Sequence, residues 1–332
     1  MRSVAWLPAW RDACALYRMF IPSLHTPNSL FILAQGRMPL DMYCDVDVSV
    51  VQRIATKPNL LAIQVMKKAG MKLVFDLDDN IWSIPRYNPA KELFEQLKPG
   101  IQACSSECDV LTVSTQALKV AARKYMPAWR NRRIEVIPNS IDFDYFPERR
   151  KGNVEKFVVA WAGSNTHSED IRKVFALIPS VLEKEPDIHF QTVGQKLPET
   201  MAFNPRISSK EFVPVSEYAA RLSSWDWDLL LAPLEKNEFN HSKSNIKILE
   251  AAAIGSPILV SDVGSYGEFM RLDSDLRYLL CSKESDWRNK IIELKHEPGL
   301  RNRLVHRMRK AAREHFDAPK VALKWREIFE SL

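Results

Sequence analysis

The chain is expected to be an α/β protein made of two doubly wound units that face each other across a cleft. Three observations lead there. The chain has 332 residues, short apolar strands alternate with helices along it, and the alternation restarts after a polar, breaker-rich stretch at 147–153. Two domains of about 150 residues suit such a length. Apolar residues make up 46% and charged residues 27%, the balance of a folded globular protein. No apolar run reaches the roughly 18 residues of a membrane span. Residues 1–10 carry one basic residue and too short an apolar stretch for a secretory leader. A cytoplasmic protein is the expectation.

In the first unit, strands are expected at 4–7, 30–33, 46–51, 72–76, 109–113 and 134–137, with helices at 59–68, 90–103 and 116–124. Short apolar strands separated by helices belong to parallel sheets covered on both faces. The boundary falls in Pro147-Glu-Arg-Arg-Lys-Gly-Asn153, dividing units 1–150 and 151–332. Beyond it, strands are expected at 157–161, 188–193, 229–232 and 258–260, and helices at 168–182, 215–222 and 245–253. Residues 299–316 form a basic amphipathic helix with Leu300, Leu304, Met308 and Ala311 on one face. Packing that stripe on the domain is the expectation, and a membrane or nucleic-acid helix the alternative.

The net charge of +6 is unevenly placed. Residues 1–151 hold 21 Lys+Arg against 15 Asp+Glu, whereas the remainder holds 26 of each. Arg123, Lys124, Arg130, Arg132, Arg133 and the basic run 149–151 contribute to the excess. A phosphate-bearing acceptor, a membrane surface or nucleic acid would meet such a charge, as would plain solvent. Five cysteines, Cys14, Cys44, Cys104, Cys108 and Cys281, are scattered. Cys104 and Cys108 lie four apart without a second Cys/His pair, so reduced buried thiols are expected rather than a zinc site.

Neither GxGxxG nor GxxxxGK[ST] occurs, which removes the dinucleotide fingerprint and the P-loop. Ligands of doubly wound sheets bind beyond the carboxyl ends of the strands. In the segment 158–170 a strand runs into Gly163, and Thr166 and Glu169 have capping-box spacing. Gly163, Ser164, His167 and Asp170 would then lie beside free amides suited to a phosphate or sugar hydroxyls. In 232–257 a loop rich in Asn, His, Ser and Lys enters a helix, with Lys243 and Ser244 at its start. Helix dipole and open amides favour an anion there. Lys247 and Glu250 fall three apart, so Glu250 could accept ribose hydroxyls or simply form a surface ion pair.

Several segments in matching order resemble GT-B glycosyltransferases, particularly glycosyltransferase family 4 and its relatives. They include Phe75-Asp-Leu-Asp-Asp-Asn-Ile-Trp82, Leu111-Thr-Val-Ser-Thr-Gln-Ala-Leu118 and Val136-Ile-Pro-Asn-Ser-Ile-Asp-Phe143. Trp161-Ala-Gly-Ser-Asn-Thr-His-Ser-Glu-Asp170, Phe239-Asn-His-Ser-Lys-Ser-Asn-Ile-Lys-Ile-Leu-Glu250 and Gly255-Ser-Pro-Ile-Leu-Val-Ser-Asp-Val-Gly264 complete the set. The resemblance spans about residues 70–325. It implies a GT-B fold of two Rossmann-like domains, with room for a C-terminal helix to cross back to the first.

It further implies a nucleotide-diphosphate sugar as donor, bound by Gly163, Ser164, Thr166, Asp170, Asn240, Lys243, Ser244, Lys247 and Glu250 of the second domain. The acceptor would meet the first domain, with Tyr17 and Arg18 on its side. Asp78, Asp79 and His167 are the catalytic candidates, and Asp76 is expected to cap the turn that follows it. Retention of configuration, and no cofactor or essential metal, are also implied. Two departures stand out. Ser242 replaces the first acid of the family's E-x7-E motif, and the usual Arg…Lys pair is not evident, which leaves the diphosphate to Lys243 and Lys247. Asp76-Leu-Asp78 also fits the metal-binding DxD of GT-A enzymes, but those have one nucleotide-binding domain, whereas here a second α/β unit carries the phosphate-like features. Of the other histidines, His25 is the one to follow.

The expected reaction is glycosyl transfer to a hydroxyl of a glycan or lipid-linked saccharide, or of a hydroxymethylated DNA base as in phage-type DNA glycosylation. A nucleotide-sugar epimerase and a non-catalytic sugar-nucleotide-binding module are the rivals. A lipid-linked acceptor would place the protein at the inner membrane face.

Overall fold

The computed structural model describes residues 2–33, 46–149 and 156–332, so Cys44 and positions 150–153 of the expected boundary lie outside the described residues. Two six-stranded sheets, parallel throughout, carry the fold. The first contains β1 (Val4–Pro8), β2 (Ser29–Phe31), β3 (Val48–Gln52), β4 (Lys72–Leu77), β5 (Val110–Val113) and β6 (Ile134–Val136). The second contains β7 (Phe157–Ala162), β8 (Ile188–Val193), β9 (Ile207–Lys210), β10 (Leu229–Ala232), β11 (Ile258–Ser261) and β12 (Leu280–Cys281). β1, β3 and β5 are buried along their whole length, as expected of strands covered on both faces.

Strand order places the site. The first sheet runs β2-β1-β3-β4-β5-β6 and the second β12-β11-β10-β7-β8-β9. Counted within each sheet these are the flavodoxin-like and dinucleotide-fold orders, which reverse between β1 and β3 and between β7 and β10. At such a reversal the outgoing loops diverge to opposite faces and leave a crevice at the carboxyl edge.

The helical stretch after β1 runs through Ala13–Ala15, a π-helical turn at Leu16–Phe20, and Ile21–Leu24. Asp12 caps it, accepting from the Ala15 amide at 2.9 Å. From this stretch Leu16, Tyr17 and Ile21 join the core of the second sheet, while Met19 packs with the first.

The basic helix Pro298–His315 buries Leu304, Met308, Ala311 and Ala312 in the second core. Arg309 pairs with Glu148 at 2.7 Å, and the Arg313 guanidinium lies 4.0 Å from the Phe143 ring centroid. Its stripe is therefore packed on the protein. The following helix, Ala318–Glu330, crosses back. Val321, Trp325, Ile328 and Phe329 pack with Val4, Trp6, Val48 and Val50 of the first sheet, and Trp6 meets Trp325 edge-on at 5.1 Å. Among the described residues no helix is long and apolar enough to cross a membrane.

The edge strand β9 and the helix Glu284–His296 escape the sequence pattern. β9 reads Ile-Ser-Ser-Lys with only Ile207 buried, so it carries no periodic apolar signal.

Candidate active site in the cleft

A cavity of about 390 Å³ opens where the two reversal points face each other. Asp12, Cys14 and Tyr17 after β1, and Asp78 and Asp79 after β4, form one wall. Gly163, Ser164, Thr166 and His167 after β7, with Lys243, Ser244, Lys247 and Glu250 beyond β10, form the other. Eleven of the fourteen residues singled out from the sequence line it; Arg18, Asp170 and Asn240 do not.

The second wall is organised by the helix Ile246–Ile254, whose N-cap Asn245 makes no side-chain cap bond. Its first-turn amides therefore lack side-chain partners at the cap and favour an anion. Ser244 Oγ accepts from Asn139 Nδ2 of the first unit at 2.9 Å. Lys243 Nζ lies 3.9 Å from Asp79 Oδ1, reaching across the cleft. At Gly163 a Cβ would come within 2.6 Å of the Trp161 indole, so only glycine fits beside that ring.

For Glu250 the surface ion pair is ruled out. The residue is 2% exposed. Its Oε1 accepts from the Tyr17 hydroxyl at 2.6 Å, and its Oε2 from the Tyr218 hydroxyl at 3.0 Å and Lys247 Nζ at 2.8 Å. This is a buried cluster joining the two units, not a surface ion pair, and Oε1, which accepts one bond, keeps a lone pair for a further donor at the cavity wall. Burial opposes the Lys247 charge, yet Glu250 and Tyr218 hold its ammonium well above the ordinary range. Burial and the Glu250 charge push the Tyr17 hydroxyl up, so it remains a donor.

The β7 loop also departs from expectation. Thr166 and Glu169 form no capping box: the Thr166 hydroxyl meets Ser164 Oγ at 2.6 Å, and a 3-10 turn at Asn165–His167 precedes the helix Ser168–Lys184. Asp170 and Asn240 do not reach the cavity. Asp170 is 3% exposed and is bonded to His167 Nδ1 at 2.8 Å. Asn240 donates to Asp170 Oδ1 and to the Glu235 carbonyl, at 2.8 and 3.0 Å. Both therefore stand behind the wall, outside the cavity lining. Burial, then the charge of Lys243, lowers the pKa of His167.

The first wall is a compact ionic cluster. Arg53, in a left-handed conformation at φ 49°, pairs with Asp12 at 2.6 Å and lies 3.4 Å from Asp78. Its guanidinium also lies 4.9 Å from the Trp10 ring centroid. Non-glycine residues in this conformation are uncommon and concentrate at functional sites. Burial pushes Asp78 up to about 6 against the opposing pull of Arg53, with Asp79 adding to the rise. Cys14 Sγ and carboxylate oxygens of Asp78 and Asp79 lie within 4.8 Å of one another, a set that could hold a cation. Burial pushes the Cys14 thiol well up, however, and Arg53 already supplies positive charge to the same carboxylate.

Arg18 is a correction. It is 1% exposed and grips Asp76 through Nη2–Oδ1 at 2.6 Å and Nε–Oδ2 at 3.1 Å. A guanidinium sealed against its counter-ion beneath the sheet has no acceptor-facing surface. Asp76 is correspondingly not a turn cap, since Thr112 Oγ1 holds it as well, at 2.7 Å. Ser242, where the family's first acid is expected, is also withdrawn from the cavity. Its hydroxyl accepts from Asn80 Nδ2 at 3.3 Å and its carbonyl from Thr115 Oγ1 at 2.8 Å, so it fastens the two units together.

His25 pairs with Asp142 at 2.8 Å, away from the cavity. Part of the basic excess is engaged internally: Lys124 with Glu238, Arg133 with Glu135, and Arg132 with the Ser106 carbonyl. Cys104 and Cys108 are free and buried, and burial pushes the Cys104 thiol up to about 12.

Two facing parallel sheets, with the carboxyl edges meeting in a cleft and a C-terminal helix returning to the first unit, are the GT-B glycosyltransferase fold. Residues 172–326 match the family model described as Glycosyl transferase-like. HepE from Anabaena, solved with UDP and glucose, has a TM-score of 0.68 at 13% identity, with 100% of each chain covered. Sucrose-phosphate synthase from Thermosynechococcus elongatus has a TM-score of 0.66 at 11% identity, covering 99% of each chain. TarM from S. aureus, in complex with UDP and saccharide ligands, has a TM-score of 0.62 at 14% identity, over 85% of this chain and 55% of that one. No curated protein matches the sequence.

Proposed function

We propose that this protein is a retaining glycosyltransferase, similar to family 4, that moves a sugar from a nucleotide-diphosphate sugar to an acceptor hydroxyl without an essential metal. The observation that carries the reading is the opposition of the two walls. Lys243, Lys247 and Ser244, beside the open start of the Ile246–Ile254 helix, lie across one cavity from Asp78, whose pKa stands at about 6. HepE, which shares the fold, was solved with UDP-glucose and with UDP, which supports a sugar nucleotide as the ligand.

In this reading the residues after 156 bind the donor and those up to 149 meet the acceptor. As the donor bond breaks, negative charge grows on the diphosphate, and preorganised cations and amides stabilise it there. Lys247 spends two N–H groups on Tyr218 and Glu250, which leaves one for a phosphate oxygen. The acceptor hydroxyl comes from the first wall. Asp78 is poised near neutrality to take its proton, Asp79 steers Lys243, and His167 faces the reaction from the donor side. Tyr17–Glu250, Asn80–Ser242 and Asn139–Ser244 hold the walls together, and closure excludes water that would hydrolyse the donor.

A thermal-shift screen of nucleoside diphosphates and their sugars tests the donor. A ligand at a hundred times its Kd stabilises by about 2.7 kcal/mol, so a screen without any shift would remove the reading. Sugar transfer to a lipid-linked saccharide would place the protein at the inner membrane face. Transfer to hydroxymethylated DNA, with steep salt dependence, would instead assign the first unit's basic excess to phosphates. Formation of a free altered sugar would mark an epimerase, and donor binding without turnover a binding module.

A further inference from the structure

Asp170 is buried and both of its oxygens are occupied. Oδ1 accepts from the Glu235 amide and from Asn240 Nδ2, each at 2.8 Å, and Oδ2 faces His167 Nδ1 at 2.8 Å. Asn240 is in turn oriented by the Asn237 cap and the Glu235 carbonyl. This arrangement gives the carboxylate one orientation. A carboxylate only accepts, so Nδ1 must be the nitrogen that carries hydrogen. His167 itself lines the cavity, and among the described residues its Nε2 has no hydrogen-bond partner.

Resting on the proposed donor site, we infer that Asp170 is a positioning residue that fixes His167 as the Nδ1–H tautomer, so that its Nε2 lone pair accepts a hydroxyl of the donor's sugar. The charged groups that bear on the ring are Asp170 from its own helix and Lys243 and Lys247 from the opposing segment. Two ammonium groups oppose a second proton on the ring. An unprotonated Nε2 repels phosphate oxygens and attracts O–H donors. The division of labour along the wall follows: the lysines and the helix end take the diphosphate, and the histidine takes the sugar. Asp170 and Asn240 thus act on the donor through His167 without touching it. With Ser242 withdrawn from the cavity, His167 supplies a sugar contact on this wall.

Two readouts test this. In the unliganded protein, long-range proton–nitrogen correlation spectra of the His167 ring should show hydrogen on Nδ1 and none on Nε2, a preference that Asp170→Asn abolishes. Hydrogen on Nε2 in the wild type, or an unchanged ring in Asp170→Asn, would overturn the positioning role. Calorimetry with UDP, GDP and ADP, each free and as its glucose conjugate, tests the contact. For the nucleotide that binds, Asp170→Asn and His167→Phe should leave the free diphosphate within about twofold and weaken the conjugate about tenfold. His167→Gln, which retains an acceptor oxygen, should recover part of the loss. Equal weakening of both ligands would assign His167 to phosphate and overturn the hydroxyl contact. If the wild type binds none of the six, the donor reading and the hydroxyl contact both fall, while the ring spectra still decide what Asp170 does. The His167 variants leave Asp170 bonded to Glu235 and Asn240, so the test does not depend on Asp170→Asn folding.

Discussion

Along the first wall of the cleft, charges meet their opposites at close range: Arg53 lies between Asp12 and Asp78, and a layer below Arg18 is sealed against Asp76. Along the second wall, Lys243 and the uncapped start of the Ile246–Ile254 helix face the cavity, and Lys247 keeps one N–H beyond its bonds to Glu250 and Tyr218. The first wall sets Arg53 against Asp12 and Asp78, leaves Asp79 to Lys243 across the cleft, and holds one carboxyl group away from its usual range. The second carries positive potential to spare. A surface that must bind a diphosphate needs the second design, and one that must take a proton needs the first.

The largest expected effect breaks the side of the first wall. Arg18→Met removes one partner of a fully buried pair and should cost about 3–5 kcal/mol of stability, read by chemical denaturation. Had Arg18 faced the acceptor, the variant would unfold like the wild type and lose only acceptor affinity. Next is Asp78. Asp78→Asn should lower turnover by roughly a hundredfold or more while leaving donor binding intact. In the wild type the rate should rise with pH through about 6, where Asp78 ionises. Arg53→Met should move that limb to higher pH, because Arg53 is what lowers the Asp78 pKa. Stability has the opposite slope. The folded state holds this proton up to about pH 6 and the unfolded chain releases it near its ordinary value of about 4, so stability falls as pH rises across that window and is level above it. Asp78→Asn should lack the fall.

Smaller effects sharpen the other side. Lys243→Ala should weaken nucleoside diphosphate binding about tenfold, the worth of one charge-assisted contact of about 1.4 kcal/mol. Smallest is Ser242→Ala, which removes the hydroxyl bonded to Asn80. It should lower stability by about 1 kcal/mol with donor affinity unchanged. A large loss of donor affinity there would mean that Ser242 reaches the sugar after all.

The two walls also differ in how far they could be read from the chain. The second comes from two segments, and in one of them Lys243, Ser244, Lys247 and Glu250 fall within eight residues, where helix spacing brings Lys247 and Glu250 to one side. The alternation of strands and helices and the basic helix packing on the second core were legible for the same reason, since local periodicity reports local burial. The first wall comes from three separate loops. Nothing near Arg53 announces a left-handed backbone or its partners 41 residues earlier and 25 later. Tyr17 and Arg18 are adjacent, yet one enters the second core and the other pairs beneath the first sheet, a divergence set by tertiary packing. Tyr17–Glu250 joins positions 233 apart, so the sequence shows both residues without showing that they share a bond.

Calorimetry of the cognate nucleoside diphosphate against wild type, Lys243→Ala and Asp78→Asn tests the division between walls most directly. Lys243→Ala should bind about tenfold more weakly, and Asp78→Asn with unchanged affinity. Unchanged affinity for Lys243→Ala, or a loss confined to Asp78→Asn, would contradict that division.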